Sequence, residues 1–216
     1  MVASVAVIDY GMGNLHSVAS ALEVAGAGEV VVSNEPSAIA RADHVVFPGV
    51  GAIGDCMQEM QRLGCDQLLR DALADGHKPI LAICVGMQAL MSHSEENGGV
   101  DTLNIIDGEV RFFGHNHTDH HGQRLKVPHM GWNHVAQTLN HPLWQGIENN
   151  SRFYFVHSYW VAPQDNTLVA GTFDYGVTGC AALARDNLFA VQFHPEKSHD
   201  VGLRLLRNFL TWNGKC

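Results

Sequence analysis

Residues 79–90 read Pro79-Ile80-Leu81-Ala82-Ile83-Cys84-Val85-Gly86-Met87-Gln88-Ala89-Leu90. A short apolar run leads straight into a cysteine, and helix-forming residues follow it. A run of this kind suits a buried strand. The pattern predicts a strand over Ile80 to Ile83, a sharp turn at Cys84 and a helix from Val85 to His93. That strand–nucleophile–helix turn is a nucleophile elbow. It pushes the side chain out at the carboxyl end of the strands, where open α/β sheets bind ligands. A helix start also directs free N–H groups and the positive end of its dipole at the sulfur, which favours thiolate. The N–H of Val85 is positioned to hold an oxyanion. Outside this context Cys84 reads as a small buried hydrophobe, as free cysteines often do.

The flanks agree with an α/β fold. Val2 to Asp9 is apolar and ends at the turn Gly11-Met12-Gly13-Asn14. Leu15, Val18, Ala19, Leu22 and Ala25 then recur at helical spacing, and Gly26 and Gly28 end that helix. Short strands are expected at Val30 to Val32 and His44 to Phe47, and a helical pattern from Asp55 to Leu73 breaks at Gly64. Alternating strands and helices imply right-handed crossovers and a parallel sheet. The second half changes character. Residues 104–113, 126–136, 151–162, 167–174, 178–185 and 188–193 read as strands, expected to extend the same sheet antiparallel. A helix from Gly202 to Trp212 closes the chain, with Leu203, Leu206, Phe209 and Leu210 on one face. The expected fold is therefore α/β, a mixed and largely parallel sheet flanked by helices. No linker composition divides residues 1–216, so one domain is expected.

Bulk composition narrows the function. The net charge of -9 argues against a nucleic-acid footprint. No apolar stretch is long enough to span a bilayer, and the N-terminus lacks the basic flank of a signal peptide. The five cysteines are odd in number and scattered, which argues against a disulfide framework or zinc site and suits a reducing, cytoplasmic setting. Cys56, Cys65, Cys180 and Cys216 lack the elbow context and read as structural or incidental.

A thiol nucleophile needs a base, and the base needs an orienter. The chain carries 14 histidines, so most have other roles. His194 stands out, in Ala190-Val191-Gln192-Phe193-His194-Pro195-Glu196-Lys197-Ser198. A buried strand ends at His194, Pro195 fixes the backbone, and Glu196 follows two residues on. In extended backbone, i and i+2 point the same way. A carboxylate can then hold one imidazole nitrogen while the other faces the sulfur. Alone, His194 reads as a loop histidine and Glu196 as a solvated charge; with the elbow they make a Cys–His–Glu set. Pro48-Gly49-Val50-Gly51 ends the third strand and offers a second oxyanion donor through a freely turning peptide. It lacks the Lys-Ser or Lys-Thr ending of a nucleotide loop.

These segments resemble the triad-type class I glutamine amidotransferases. Asp9-Tyr10-Gly11-Met12-Gly13-Asn14, Lys126-Val127-Pro128-His129-Met130-Gly131-Trp132-Asn133 and Phe153-Tyr154-Phe155-Val156-His157-Ser158-Tyr159 narrow the likeness to the glutaminase subunits of imidazole glycerol phosphate synthases. The resemblance covers nearly the whole chain. It implies a flavodoxin-like fold and no cofactor or metal. It implies hydrolysis of glutamine through a glutamyl thioester on Cys84, with His194 as acid and base and Glu196 as its support. It assigns Gly51 and Val85 to the oxyanion, and Gly49, Gln88, Ser158 and Tyr159 to glutamine. His157 is adjacent, with a lesser direct role. It implies a heterodimer with a (β/α)8-barrel cyclase that receives the ammonia, faced by Asn14, Trp132, Tyr154 and Lys197. Ligand on the cyclase would switch the glutaminase on, with the Val50 peptide as moving part. As aromatics in strands, Trp132 and Tyr154 also fit a core role.

The chain departs from this pattern at two places. Ala82 stands where the family often has glycine. Residues 114–125 form a loop with His115, His117, His120 and His121, which reads as solvated and polar rather than as a metal cage. Three alternatives stay open on sequence: an amidotransferase with another acceptor, a stand-alone peptidase or γ-glutamyl hydrolase, and a non-catalytic subunit.

Overall fold

A computed structural model describes residues 2–215; Cys216 lies outside the described residues. The first half alternates as the pattern predicts. β1 (Ser4–Ile8) leads to α1 (Leu15–Ala25), then β2 (Glu29–Ser33), α2 (Pro36–Arg41), β3 (His44–Gly49), α3 (Ile53–Leu63) and α4 (Cys65–Asp75). The short α2 carries too few turns to show a period in the sequence. Gly26 ends α1 in the left-handed conformation, its N–H bonded to the carbonyls of Leu22 and Glu23. Gly64 separates α3 from α4 in the same way.

β4 (Ile80–Cys84) is followed by α5 (Val85–Ala89). The helix stops four residues short of the expected His93. Its last carbonyls are claimed by a distant segment: Ala89 accepts from the Leu103 N–H, Leu90 from Ile105 and Ile106, and Met91 from Asn104. With those acceptors taken, the next helical turn has no bonds to make.

The second half holds β5 (His93–Ser94), β6 (Val100–Asp101), β7 (Gly108–Phe112), β8 (His129–Gln137), β9 (Ser151–His157), β10 (Tyr159–Pro163), β11 (Val169–Asp174), β12 (Thr178–Arg185), β13 (Leu188–Val191) and α6 (His199–Thr211). The central sheet has the order β2-β1-β3-β4-β13-β12-β11-β8-β9. From β2 to β13 the pairings are parallel; from β13 to β9 they are antiparallel. The sheet is thus mixed in equal parts. β13 inserts beside β4 although it comes last, so the two strands carrying Cys84 and leading into His194 are neighbours.

Not every late strand joins this sheet. β10, β7, β5 and β6 form a second sheet of four strands. The expected strand 151–162 breaks at Ser158, whose carbonyl accepts from the Phe113 N–H, and the chain crosses from one sheet to the other there. The core wraps the central sheet, with β1, β3, β4 and β13 almost wholly buried. α6 covers it with Gly202, Leu205, Leu206 and Phe209; Leu203 and Leu210 sit at the edge of that buried face.

Candidate active site

Cys84 ends β4 with φ 55° and ψ -110°, a conformation a non-glycine residue holds only under constraint. Its constraint is the packing of β3 beside it, where Gly49 lies opposite Cys84 in register. A Cβ on Gly86 would collide with the Phe47 carbonyl oxygen. One on Gly49 would come within 2.7 Å of both the Gly86 nitrogen and the Tyr10 hydroxyl. Two glycines therefore let two backbones touch, and the elbow is clamped. Ala82 is buried in this strand, between Phe47 and Ala190 in register. With five residues, α5 contributes a shorter dipole to the sulfur than the predicted helix would.

Cys84 is 3% exposed and opens on a cavity of about 130 Å³ lined by Gly51, Cys84, Val85, Gln88, Glu96, His157, Ser158 and Tyr159. That volume suits a small amino-acid ligand better than a large cofactor. Gln88 donates from Nε2 to the Tyr159 carbonyl at 3.0 Å. Gly49 stands behind the lining rather than in it. Glu96 was not legible in the sequence, because its loop carries no periodic signal. Its Oε2 accepts from the Ile53 N–H at 2.7 Å and brings a carboxylate to the cavity wall.

His194 follows β13 on extended backbone. Its Nδ1 pairs with Glu196 Oε1 at 2.7 Å, with the side chains only 2% and 1% exposed. The backbone between them is not extended as expected. Pro195–Lys197 form one turn of 3₁₀ helix, nucleated by the proline, and the turn folds Glu196 back onto the ring. Ser198 braces this turn: its hydroxyl donates to the His194 carbonyl at 2.6 Å and accepts from the Tyr154 N–H at 3.0 Å. His194 Nε2 and Glu196 Oε2 are buried without a hydrogen-bond partner among the described residues. Burial opposes charge on His194, but the Cys84 sulfur and then Glu196 outweigh it and hold the imidazole well above its ordinary range. The arrangement favours an imidazolium beside the sulfur.

Cys56, Cys65 and Cys180 behave as core. Burial pushes the Cys56 and Cys65 thiols each up to about 11 and raises Cys180 further still. The histidine loop is largely solvated, as its sequence suggests: His115, His120 and His121 are exposed and His117 alone of the four is buried. His117 is 8% exposed and bonds the Tyr175 carbonyl, His120 pairs with Asp174 at 3.0 Å, and His115 packs on Phe112. These three rings serve different neighbours, and no group of three or more His, Cys, Asp or Glu among the described residues is placed to hold a metal ion.

On another face, Trp132 lies opposite Tyr154 in the β8–β9 register, their rings 6.1 Å apart and edge-on. Trp132 also stacks on His199 at 5.2 Å. Lys197 is exposed in the turn beside them, and Asn14 begins α1, which packs on that turn. Trp132 is 38% exposed, so it is not a core residue, and Met130 on the same face is 62% exposed.

A family model for glutamine amidotransferase class-I matches residues 6–212. The chain belongs to the class-I glutamine amidotransferase family. This amidotransferase is 59% identical over 212 residues to the imidazole glycerol phosphate synthase subunit HisH of Pseudomonas putida, covering 98% of this chain and 99% of that one. It is 58% identical to the corresponding HisH 1 of Pseudomonas aeruginosa over the full length of both. Among solved structures, the amidotransferase fold matches PurLQS from Thermotoga maritima with a TM-score of 0.71 at 18% identity, over 97% of this chain and 98% of that one. It matches a glutamine amidotransferase from Thermotoga maritima with a TM-score of 0.60 at 15% identity, over 94% and 80%. Those two likenesses speak to the fold alone. No helix among the described residues is long and apolar enough to cross a membrane.

Proposed function

We propose that this amidotransferase is the glutaminase subunit of an imidazole glycerol phosphate synthase, supplying ammonia for histidine biosynthesis. Full-length relatives at 58–59% identity support the assignment. The observation that carries the chemistry is the buried His194–Glu196 pair at 2.7 Å, its free Nε2 on the side of Cys84. The Cys84 sulfur attacks the side-chain carbonyl carbon of glutamine, and a C–S bond forms. The carbonyl oxygen takes the negative charge, held by the N–H groups of Gly51 and Val85. The C–N bond then breaks, and His194 gives its proton to the departing ammonia. Water enters, His194 takes one of its protons, and the thioester is cleaved to glutamate and free Cys84. Glu196 keeps the ring oriented and its charge compensated throughout.

Glutamine is held by Gln88, Ser158 and Tyr159, with Gly49 allowing the close backbone approach, and Glu96 faces its ammonium group. The partner is a (β/α)8-barrel cyclase, bound as a heterodimer on the face with Asn14, Trp132, Tyr154 and Lys197. The Val50 peptide is the part that moves on activation. Its carbonyl accepts from the Cys56 thiol at 3.5 Å, and Gly51 next to it has φ 98°. One continuous buried cluster supports treating residues 1–216 as one domain, and four buried free thiols suit a cytoplasmic setting. Acid quenching of the complex during turnover, followed by peptide mapping, tests the mechanism. A glutamyl adduct on Cys84 supports it; turnover with the adduct on another residue refutes it.

A further inference from the structure

Behind the cavity runs a chain of hydrogen bonds through His129, His157 and Gln192, three residues that the mechanism above does not use. Its direction is set by one atom, the Tyr159 carbonyl oxygen, which can only accept. Two donors reach it: His157 Nδ1 at 2.7 Å and Gln88 Nε2 at 3.0 Å. His157 therefore carries its proton on Nδ1, and its Nε2 is an acceptor. His129 Nδ1 lies 2.9 Å from that Nε2 and must donate to it. His129 Nε2 is then the acceptor for the Asn133 side-chain amide at 3.2 Å. Burial holds both imidazoles neutral, as the chain requires, with His129 lowered to about 4 and His157 to about 3.

The same logic runs the other way. Gln88 Nε2 faces the Tyr159 carbonyl, and that nitrogen also reaches a Gln192 side-chain atom at 3.1 Å. Only the Gln192 oxygen can meet a donor there. The Gln192 amide is thereby fixed with its nitrogen outward, 3.8 Å from Cys84 Sγ. Gln192 is 0% exposed and follows β13, one residue past the Val191–Ile83 register pair, which sets it beside Cys84. Its own N–H is tied to the Ala181 carbonyl at 2.9 Å, so the backbone is fixed as well. Gln192 does not line the glutamine cavity.

We infer that Gln192 is a further catalytic residue, whose side-chain N–H is aimed at the Cys84 sulfur and stabilises it as thiolate. The donor comes with no charge and no freedom to turn away, because rotating the amide would set two N–H groups against each other at Gln88. His129, His157 and Gln88 are positioning residues for it. A hydrogen bond to an anionic acceptor outweighs one to a neutral acceptor. The N–H thus favours the thiolate over the thiol. The inference rests on Cys84 as nucleophile, which the Cys84→Ala variant tests by itself.

The test is iodoacetamide labelling of Cys84 at neutral pH, followed by peptide mass spectrometry, beside steady-state glutamine hydrolysis in the complex. Gln192→Leu removes the donor at similar size. It should slow Cys84 alkylation about tenfold and lower kcat about tenfold or more, with KM moving less than about threefold. Gln192→Glu should slow both further, since it turns a carboxylate toward the sulfur. Gln192→Met, unbranched and of similar length, gives the same test should Leu fail to pack. Wild-type alkylation in the Leu and Met variants would overturn the inference, whatever kcat does. So would a change confined to KM, which would make Gln192 a support for Gln88 only.

Discussion

Gly49 lies opposite Cys84 in the β3–β4 register, so the Pro48–Gly51 loop and the nucleophile are set by one pair of strands. The strand end at Gly49 and the elbow cannot shift independently, so motion is left to the Val50 peptide just beyond that pair. The glycine at 86 seals this arrangement, since a Cβ there would strike the Phe47 carbonyl. Gly86→Ala should therefore destabilise the fold by about 1–3 kcal/mol and abolish glutaminase activity. Urea denaturation beside an activity assay checks both. An active variant of full stability would show that the strands have room to part.

Glu196 holds His194 through its Oε1 while both are buried. Glu196→Gln keeps the size but removes the charge and allows the wrong imidazole tautomer. It should lower kcat by about a hundredfold or more, with little change in KM. Steady-state kinetics of the complex reads this. A loss confined to KM would move Glu196 into the binding site.

His129, His157 and His141 are buried neutral, with burial pushing them down to about 4, about 3 and about 4. The sign follows from linkage. Between the folded values and the unfolded value of about 6.5, the unfolded chain binds the extra protons, so stability is full above about 6.5 and falls as pH drops toward 4. His194 has the opposite sign. Its raised value adds stability that is complete below about 6.5 and is lost as pH rises through the folded value. Urea midpoints should thus fall by an amount worth a few kcal/mol between pH 7 and pH 5. Midpoints flat over that range would show that the three rings are not neutral in the fold.

Trp132 stacks on His199 at the surface and is exposed enough to meet a partner. Trp132→Ala should weaken binding to the cyclase about tenfold or more and change the stability of the free chain by less than about 1 kcal/mol. Titration calorimetry against the cyclase checks it. Unchanged affinity would remove this face from the interface.

The elbow, the His194–Glu196 neighbourhood and the first-half alternation were legible because they are local. Each is a strand end next to a turn residue. The pairing of His194 with Glu196 was legible in outcome but not in backbone, since Pro195 makes a 3₁₀ turn rather than continuing extended. What was hidden depends on distant partners. α5 ends early because the segment at Leu103 to Ile106 takes its carbonyls. The strand near Ser158 splits because β10 finds β7. Glu96, Gln192, His129 and His157 gain their places only when β8, β9, β13 and the loop after α5 come together.

Cys84 alone opens the glutamine amide in this mechanism. Glutamine-driven and ammonia-driven synthesis by the Cys84→Ala complex tests that most directly. The expected outcome is no glutamine consumption, with ammonia-driven synthesis at the wild-type rate. Glutamine consumption at a normal rate would contradict it.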